Sequence, residues 1–275
     1  MKTVLILLSS LCSISSAFAQ FYSAQSLSMG TTGVCIPDAF SYTENPAALG
    51  LHSQYGSGVR QQLFHPQKAA YTSEVFALRQ MSSFSTLAVS FSYFGDREFR
   101  DLRPSVHAGF KIANKANLGA GLSYLHLAAP GNNNERHGVQ ASLGSLVNIY
   151  AGLYTGASVK YLYYTSANPN DVEIPFRLLS SAGISYSHKG KFTGSAAIHY
   201  EYPQKIAFGV GTEFTFQKLW QLRCGFGNND WHFDFGAAYV KKGVRTELSC
   251  KYNLMSQPQV MAAISYLWNA KPKVQ

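Results

Sequence analysis

From about Gly56 onward the chain repeats one pattern, with apolar side chains at every second position for ten or so residues and then a polar or glycine-rich break. A period of two marks a strand whose two faces meet different surroundings. In Leu87 to Tyr93 one face is Leu87, Val89, Phe91 and Tyr93, and the other is Ala88, Ser90 and Ser92. Ile206, Phe208, Val210, Thr212, Phe214 and Phe216 stand in the same way against Lys205, Ala207, Gly209, Gly211, Glu213 and Thr215. Val244, Thr246, Leu248, Cys250 and Tyr252 oppose Arg245, Glu247, Ser249 and Lys251. The pattern predicts fourteen strands, near 56–64, 69–79, 84–94, 104–112, 117–128, 138–147, 151–164, 176–187, 192–202, 205–216, 219–227, 231–241, 244–253 and 259–268. The first two alternate poorly.

A soluble sandwich also alternates, but its solvated face carries many Lys, Glu and Thr. Here the second face is mostly Gly, Ala and Ser with isolated charges, as in a crowded barrel lumen. The reading is all-β: a transmembrane antiparallel β-barrel of about fourteen strands over residues 53–269. If the chain enters the first strand from the periplasm, Tyr200, Tyr202, Trp231 and Tyr252 fall at the outer interface. Phe214, Phe216, Trp220, Tyr239, Tyr266 and Trp268 then fall at the inner one, giving the two aromatic belts of such barrels. The longer connections, Gly95 to Arg103, Ala129 to His137, Thr165 to Pro175 and Asn253 to Pro258, all lie on the outer side. Tight basic turns such as His188-Lys189-Gly190-Lys191 and Lys241-Lys242-Gly243 lie on the other.

Composition narrows the alternatives. Charged residues are 13% of the 275, about half the usual share of a soluble domain, which argues against a cytosolic enzyme with a charged helical surface. After the first twenty residues no stretch approaches the roughly 18 apolar residues of a spanning helix. Lys2, the apolar Val4 to Leu8 and the small-x-small site Ala17-Phe18-Ala19 read as a signal peptide over 1–19, cleaved before Gln20. Acylation at Cys12 is disfavoured by Ser9-Ser10-Leu11. Cleavage leaves Cys35, Cys224 and Cys250, too few for a disulfide framework. Cys224 and Cys250 belong to the apolar register and should face lipid. The net charge of +9 comes from scattered residues without a compact basic cluster, so the partner it suggests is outer-membrane lipid and not nucleic acid.

Residues 20–52 do not alternate. They run Ser26-Leu27-Ser28-Met29-Gly30-Thr31-Thr32-Gly33-Val34, then Pro37-Asp38-Ala39-Phe40, then Glu44-Asn45-Pro46-Ala47-Ala48-Leu49-Gly50. Glycines among small residues suit backbone packed closely on other structure, and Asn-Pro favours a turn. With the strands that follow, this run resembles the FadL/PorV-type outer-membrane proteins, the latter from Bacteroidota. The resemblance implies an N-terminal hatch inside a fourteen-stranded barrel, with Asn45, Pro46 and Ala47 near its junction with the wall. It also implies one of two functions: a conduit for a small hydrophobic ligand, or an adaptor whose partner is a type IX secretion-machine protein. The chain is shorter than typical members of either branch, and residues 270–275 form a periplasmic tail.

Candidate chemistry lies inside the barrel. The charges expected to face the lumen are Lys111, Lys160, Arg177, Glu201, Lys205, Glu213, Arg223, Asp234, Arg245, Glu247 and Lys251. Buried there, they must pair with each other, with the hatch or with water. His199 and Glu201 share an inward face, and His107 and His126 lie on other strands. No nucleophile elbow appears, and no His, Cys or Asp spacing suggests a metal site. The reading is therefore a non-enzyme without cofactor or metal.

Overall fold

The computed structural model describes residues 22–51, 54–65, 70–95, 100–128, 135–166, 176–202, 205–228, 231–254 and 258–269. The proposed signal peptide, the middles of the longer connections (96–99, 129–134, 167–175 and 255–257) and the tail lie outside the described residues. Fourteen strands follow one another: β1 Gln54–His65, β2 Ala70–Ser82, β3 Ser85–Gly95, β4 Arg100–Ala113, β5 Ala116–Ala128, β6 Arg136–Tyr150, β7 Leu153–Ser166, β8 Arg177–His188, β9 Phe192–Tyr202, β10 Lys205–Phe216, β11 Trp220–Gly227, β12 His232–Lys241, β13 Val244–Asn253 and β14 Gln259–Asn269. Each pairs with its sequence neighbours, and β1 pairs antiparallel with β14, so the sheet closes and has no free edge.

The expected strands are all present, with some limits moved. β4 begins at Arg100 and not at 104, so Arg100 to Arg103 belong to the wall; β6 runs at both ends past the expected 138–147. The cause at β4 is Pro104, which has no N–H and makes the stretch look like a loop. The β4–β5 register stops at Leu102 and resumes at Ser105 around it.

Alternation sorts the two faces. Val89 and Phe91 on β3, Ile206, Phe208 and Val210 on β10, and Leu248 and Tyr252 on β13 are exposed on the outside of the barrel. Burial of each such side chain is worth about 1.5–3 kcal/mol, so a whole outer surface of them requires lipid. Cys224 is exposed on this face and Cys250 half-buried, both unbridged.

Between consecutive strands, the end holding both strand termini Gln54 and Asn269 has connections of two or three residues; the other end has connections of two to ten. At the short-turn end Lys242 and Gly243 have φ of 50° and 85°, and Gln217 and Lys218 have 53° and 57°. These paired left-handed positions match hairpin twist. The aromatics Phe216, Trp220 and Tyr239 cluster at the same end, with Trp220 and Tyr239 rings 4.8 Å apart.

Candidate functional site

Residues 22–51 occupy the lumen. A short helix, α1 (Ala24–Leu27), leads into 3-10 turns at Gly33–Cys35, Ala39–Thr43 and Pro46–Leu51. Ser23 caps α1 by accepting from the Ser26 N–H (3.1 Å), and Asp38 caps the second 3-10 turn through the Phe40 N–H (3.3 Å).

The wall receives this segment through glycines that share one level of the sheet. Gly109 pairs with Gly119, Gly119 with Gly144, Gly156 with Gly183, Gly183 with Ala197, and Ala197 with Gly209. A methyl at Gly119 would overlap the backbone of Pro46 and Ala47; at Gly144, the Asn45 amide oxygen; at Gly156, the Val34 carbonyl; at Gly225, the backbone of Gly30 and Met29. The inward glycines thus form a seat on which backbone lies against backbone. Between them sit apolar contacts on several sides of the barrel. Phe40, Tyr42 and Leu49 pack on Phe76, Leu78 and Ala88; Ala24 and Leu27 pack on Met261 and Ala263; Val34 and Cys35 on Ala197; Ala47 and Ala48 on Leu146.

Asn45 is fully buried, and its amide works in three directions. It donates to the Val34 carbonyl (2.7 Å) and to the Ser145 carbonyl of β6 (2.9 Å), and its oxygen accepts from the Ala47 N–H (3.0 Å). It therefore closes the turn, fastens the turn to the segment's own middle and ties both to the wall. Pro46 opens the last 3-10 turn, where a missing N–H is harmless.

Of the charges expected to face inward, five form or join anchors. Arg223 donates to Glu213 (2.7 Å) and to Glu247 (2.6 Å), and Arg245 pairs with Glu247 (2.9 Å). Arg245 also reaches Asp38 of the segment (3.0 Å), while Gln25 of α1 donates to Glu213 (2.9 Å). The fifth, Asp234, accepts from the Gly30 N–H (3.0 Å). A second anchor joins β1 and β2 to the segment. The buried Arg60 and Glu74 pair directly, Tyr42 donates to Glu74 (2.6 Å), and Arg60 donates to the Tyr22 carbonyl (3.1 Å).

Other expected positions do less. Arg177 and Glu201 pair at 3.2 Å on the wall, each about a third exposed. Lys160 is half-buried and Lys251 buried, the latter opposite Asp234 in register. Lys111 keeps the inward parity but is exposed at the short-turn end of β4, and the side chain of Lys205 is outside the described part. His107 and His199 face the lumen, whereas His126 is on the outward face of β5, between the inward Leu125 and Leu127.

Arg60, Glu74, Asp101 and Arg103 are missing from the expected set, as are the segment's Gln25, Asp38 and Glu44. Arg60 and Glu74 share an inward parity and face each other in register. Outward Ser57 and Gln61 hide the alternation of β1 in the sequence.

Glu44 is buried and accepts from the Ser23 N–H (2.6 Å) and from the Thr43 hydroxyl (2.9 Å). Burial raises its carboxyl above the usual 4.5, against the opposing pull of Arg60. Burial also pushes the Cys35 thiol up to about 12, so it is not a reactive thiolate.

A further group of inward side chains lies toward the long-connection end. Leu125, Leu127 and Tyr164 are buried together with Leu162 beside them. Leu125 is six residues beyond Gly119 on β5, roughly 20 Å along a strand. Nearby, Arg103 donates to Asp101 (2.7 Å). Among the described residues this apolar cluster is made by the wall alone.

Fold and lumen define a closed fourteen-stranded transmembrane barrel holding its own N-terminal region inside. Several solved structures share the barrel fold. The Pseudomonas putida toluene transporter TodX aligns with a TM-score of 0.67 at 12% identity, covering 92% of this chain and 99% of its own. The Ralstonia pickettii toluene transporter TbuX gives 0.64 at 14%, over 92% and 99%. A Pseudomonas aeruginosa FadL homologue gives 0.62 at 8%, over 90% and 98%. At such identities the likeness is one of fold. No protein-family model matches the sequence, and no curated protein matches it.

Proposed function

We propose that the chain is an outer-membrane barrel that admits a small, largely hydrophobic molecule, with residues 20–52 as its plug. The observation carrying this reading is the inward cluster of Leu125, Leu127, Leu162 and Tyr164 at the long-connection end. A barrel built for water and ions lines its lumen with polar groups. On this reading the apolar side chains, packed together in the resting barrel, part to receive a hydrophobic molecule that arrives from outside, above the plug. The plug is held by glycine seating and by the Arg245–Asp38 ion pair, so on this reading small polar solutes find no open pore. The named activities of TodX and TbuX agree with this direction and suggest a monoaromatic probe. Export would follow signal cleavage before Gln20.

The test is uptake of radiolabelled toluene and of a radiolabelled long-chain fatty acid by cells expressing the protein. Leu127→Asn and Tyr164→Ala are the variants, with the mobility shift of unboiled protein on gels as the folding control. Uptake that falls in both variants while folding persists supports the conduit. A stoichiometric secretion-machine protein co-purifying with wild type, with no uptake to lose, would replace this reading by the adaptor one.

A further inference from the structure

At the long-connection end, β5 and β6 bring three metal-binding side chains together on the outer face of the barrel, away from the lumen. His126 and His137 are directly paired across the two strands, and Glu135 immediately precedes β6. One donor atom from each of His126, Glu135 and His137 lies within 4.8 Å of the other two. We propose that these residues bind a divalent transition-metal ion of the zinc class, which fastens the outer ends of β5 and β6 to each other.

Two features beyond proximity carry the assignment. The Nδ1 atoms of His126 and His137 are 3.4 Å apart. Zinc–nitrogen bonds of about 2.0–2.1 Å at a tetrahedral angle place their nitrogens roughly 3.3–3.4 Å apart, so the two Nδ1 atoms stand at a separation that one zinc ion spans. The second feature is a third polar atom at the same nitrogen. The Tyr124 hydroxyl is 2.6 Å from His137 Nδ1, the atom that faces His126 Nδ1. An ion bound there takes the lone pairs of both Nδ1 atoms, so a Tyr124 hydroxyl that donates to His137 competes with it. Glu135 supplies a third, anionic ligand from an exposed position, leaving the fourth place for water. Imidazole with carboxylate selects zinc, copper or nickel over magnesium or calcium.

The experiment titrates Zn²⁺ by calorimetry into the tag-free, detergent-folded full chain, with Co²⁺ absorption as a reporter of geometry. Expected are one saturable equivalent, tetrahedral Co²⁺ bands, and a loss for His126→Ala or His137→Ala above the roughly 10–100-fold that outer-shell changes cause. Tyr124→Phe should bind at least as tightly as wild type, and His188→Ala should bind equally. In the wild-type chain zinc should also shield His126 and His137, but not His188, from diethylpyrocarbonate, as read by peptide mass spectrometry. That measurement does not depend on any variant folding. No saturable uptake, or uptake that survives in the double alanine variant with no histidine shielding, would overturn the proposal.

Discussion

A single methyl group at Gly119 should unseat the inner segment. The Cβ of Gly119→Ala points into the lumen and falls on the backbone joining Pro46 to Ala47, where no side chain can rotate aside. Wall and segment must move apart by about 1 Å to restore van der Waals separation. The Asn45 bond to the Ser145 carbonyl and the packing of Ala47 and Ala48 on Leu146 lie across that gap. Overpacking of this kind costs about 1–3 kcal/mol, which lowers the seated-to-unseated ratio by roughly 5- to 150-fold. Gly144→Ala, against the Asn45 amide oxygen, should act alike. Gly194→Ala is the control, because a methyl there meets nothing nearer than a Phe192 ring carbon at 3.5 Å. Planar-bilayer conductance reports the unseated fraction, and limited proteolysis of residues 20–52 reports it independently. Both should rise for Gly119→Ala and Gly144→Ala while unboiled gel mobility stays that of a folded barrel. If both variants conduct and resist protease as wild type and Gly194→Ala do, the glycine level is not the seat.

Deleting residues 20–52 should convert a poorly conducting barrel into a strongly conducting one; a deletion that folds and stays silent in bilayers counts against a plug. Arg245→Ala leaves Asp38 without its guanidinium and Glu247 with one fewer. Breaking such a buried pair costs about 3–5 kcal/mol, so urea should release the segment earlier, and Arg245→Met with Asp38→Leu should recover part of the loss. Cys224 and Cys250 should react with a membrane-permeant maleimide and not with a water-restricted one, and Cys35 should react with neither until the segment is unseated. Burial of Glu44 sets the sign of a pH dependence. Its carboxyl is raised in the seated state, so its contribution is full below about pH 4.5 and is lost as pH climbs through the raised value. Protease resistance of the segment should fall over that rise in wild type and stay flat in Glu44→Gln.

The wall was legible in the sequence because lipid and lumen impose opposite demands on alternate residues, and a period of two survives any drift in strand limits. Where those demands weaken, the pattern fails. β1 puts Ser57 and Gln61 on its outward face and Arg60 and Gln62 on its inward one, so polarity no longer separates the faces. The start of β4 was obscured by Pro104, whose missing N–H is tolerated because only one ladder is interrupted there. The lumen-facing charges of β10 to β13 were readable for a related reason. Each is an isolated charge in an otherwise small-residue face, and such a charge needs a partner within reach.

Partners on the inner segment were another matter, since a segment without periodicity gives no face to count from. Asn45-Pro46-Ala47 stood out by composition, but its role depends on three acceptors and donors that no spacing reveals: the Val34 carbonyl eleven residues back, the Ser145 carbonyl one hundred residues on, and the Ala47 N–H beside it. Asp38 is likewise unremarkable until Arg245, 207 residues later, arrives opposite it. The histidines make the same point from the outer face. His126 and His137 are eleven residues apart in sequence, a spacing without a metal-binding signature, and they meet only because the β5–β6 register pairs them. Their meeting is fixed by that register: shifting the pairing by one residue would send one imidazole inward and separate them. The outer-face histidine pair is therefore also a test of the barrel's register, readable in the folded protein without disturbing the lumen.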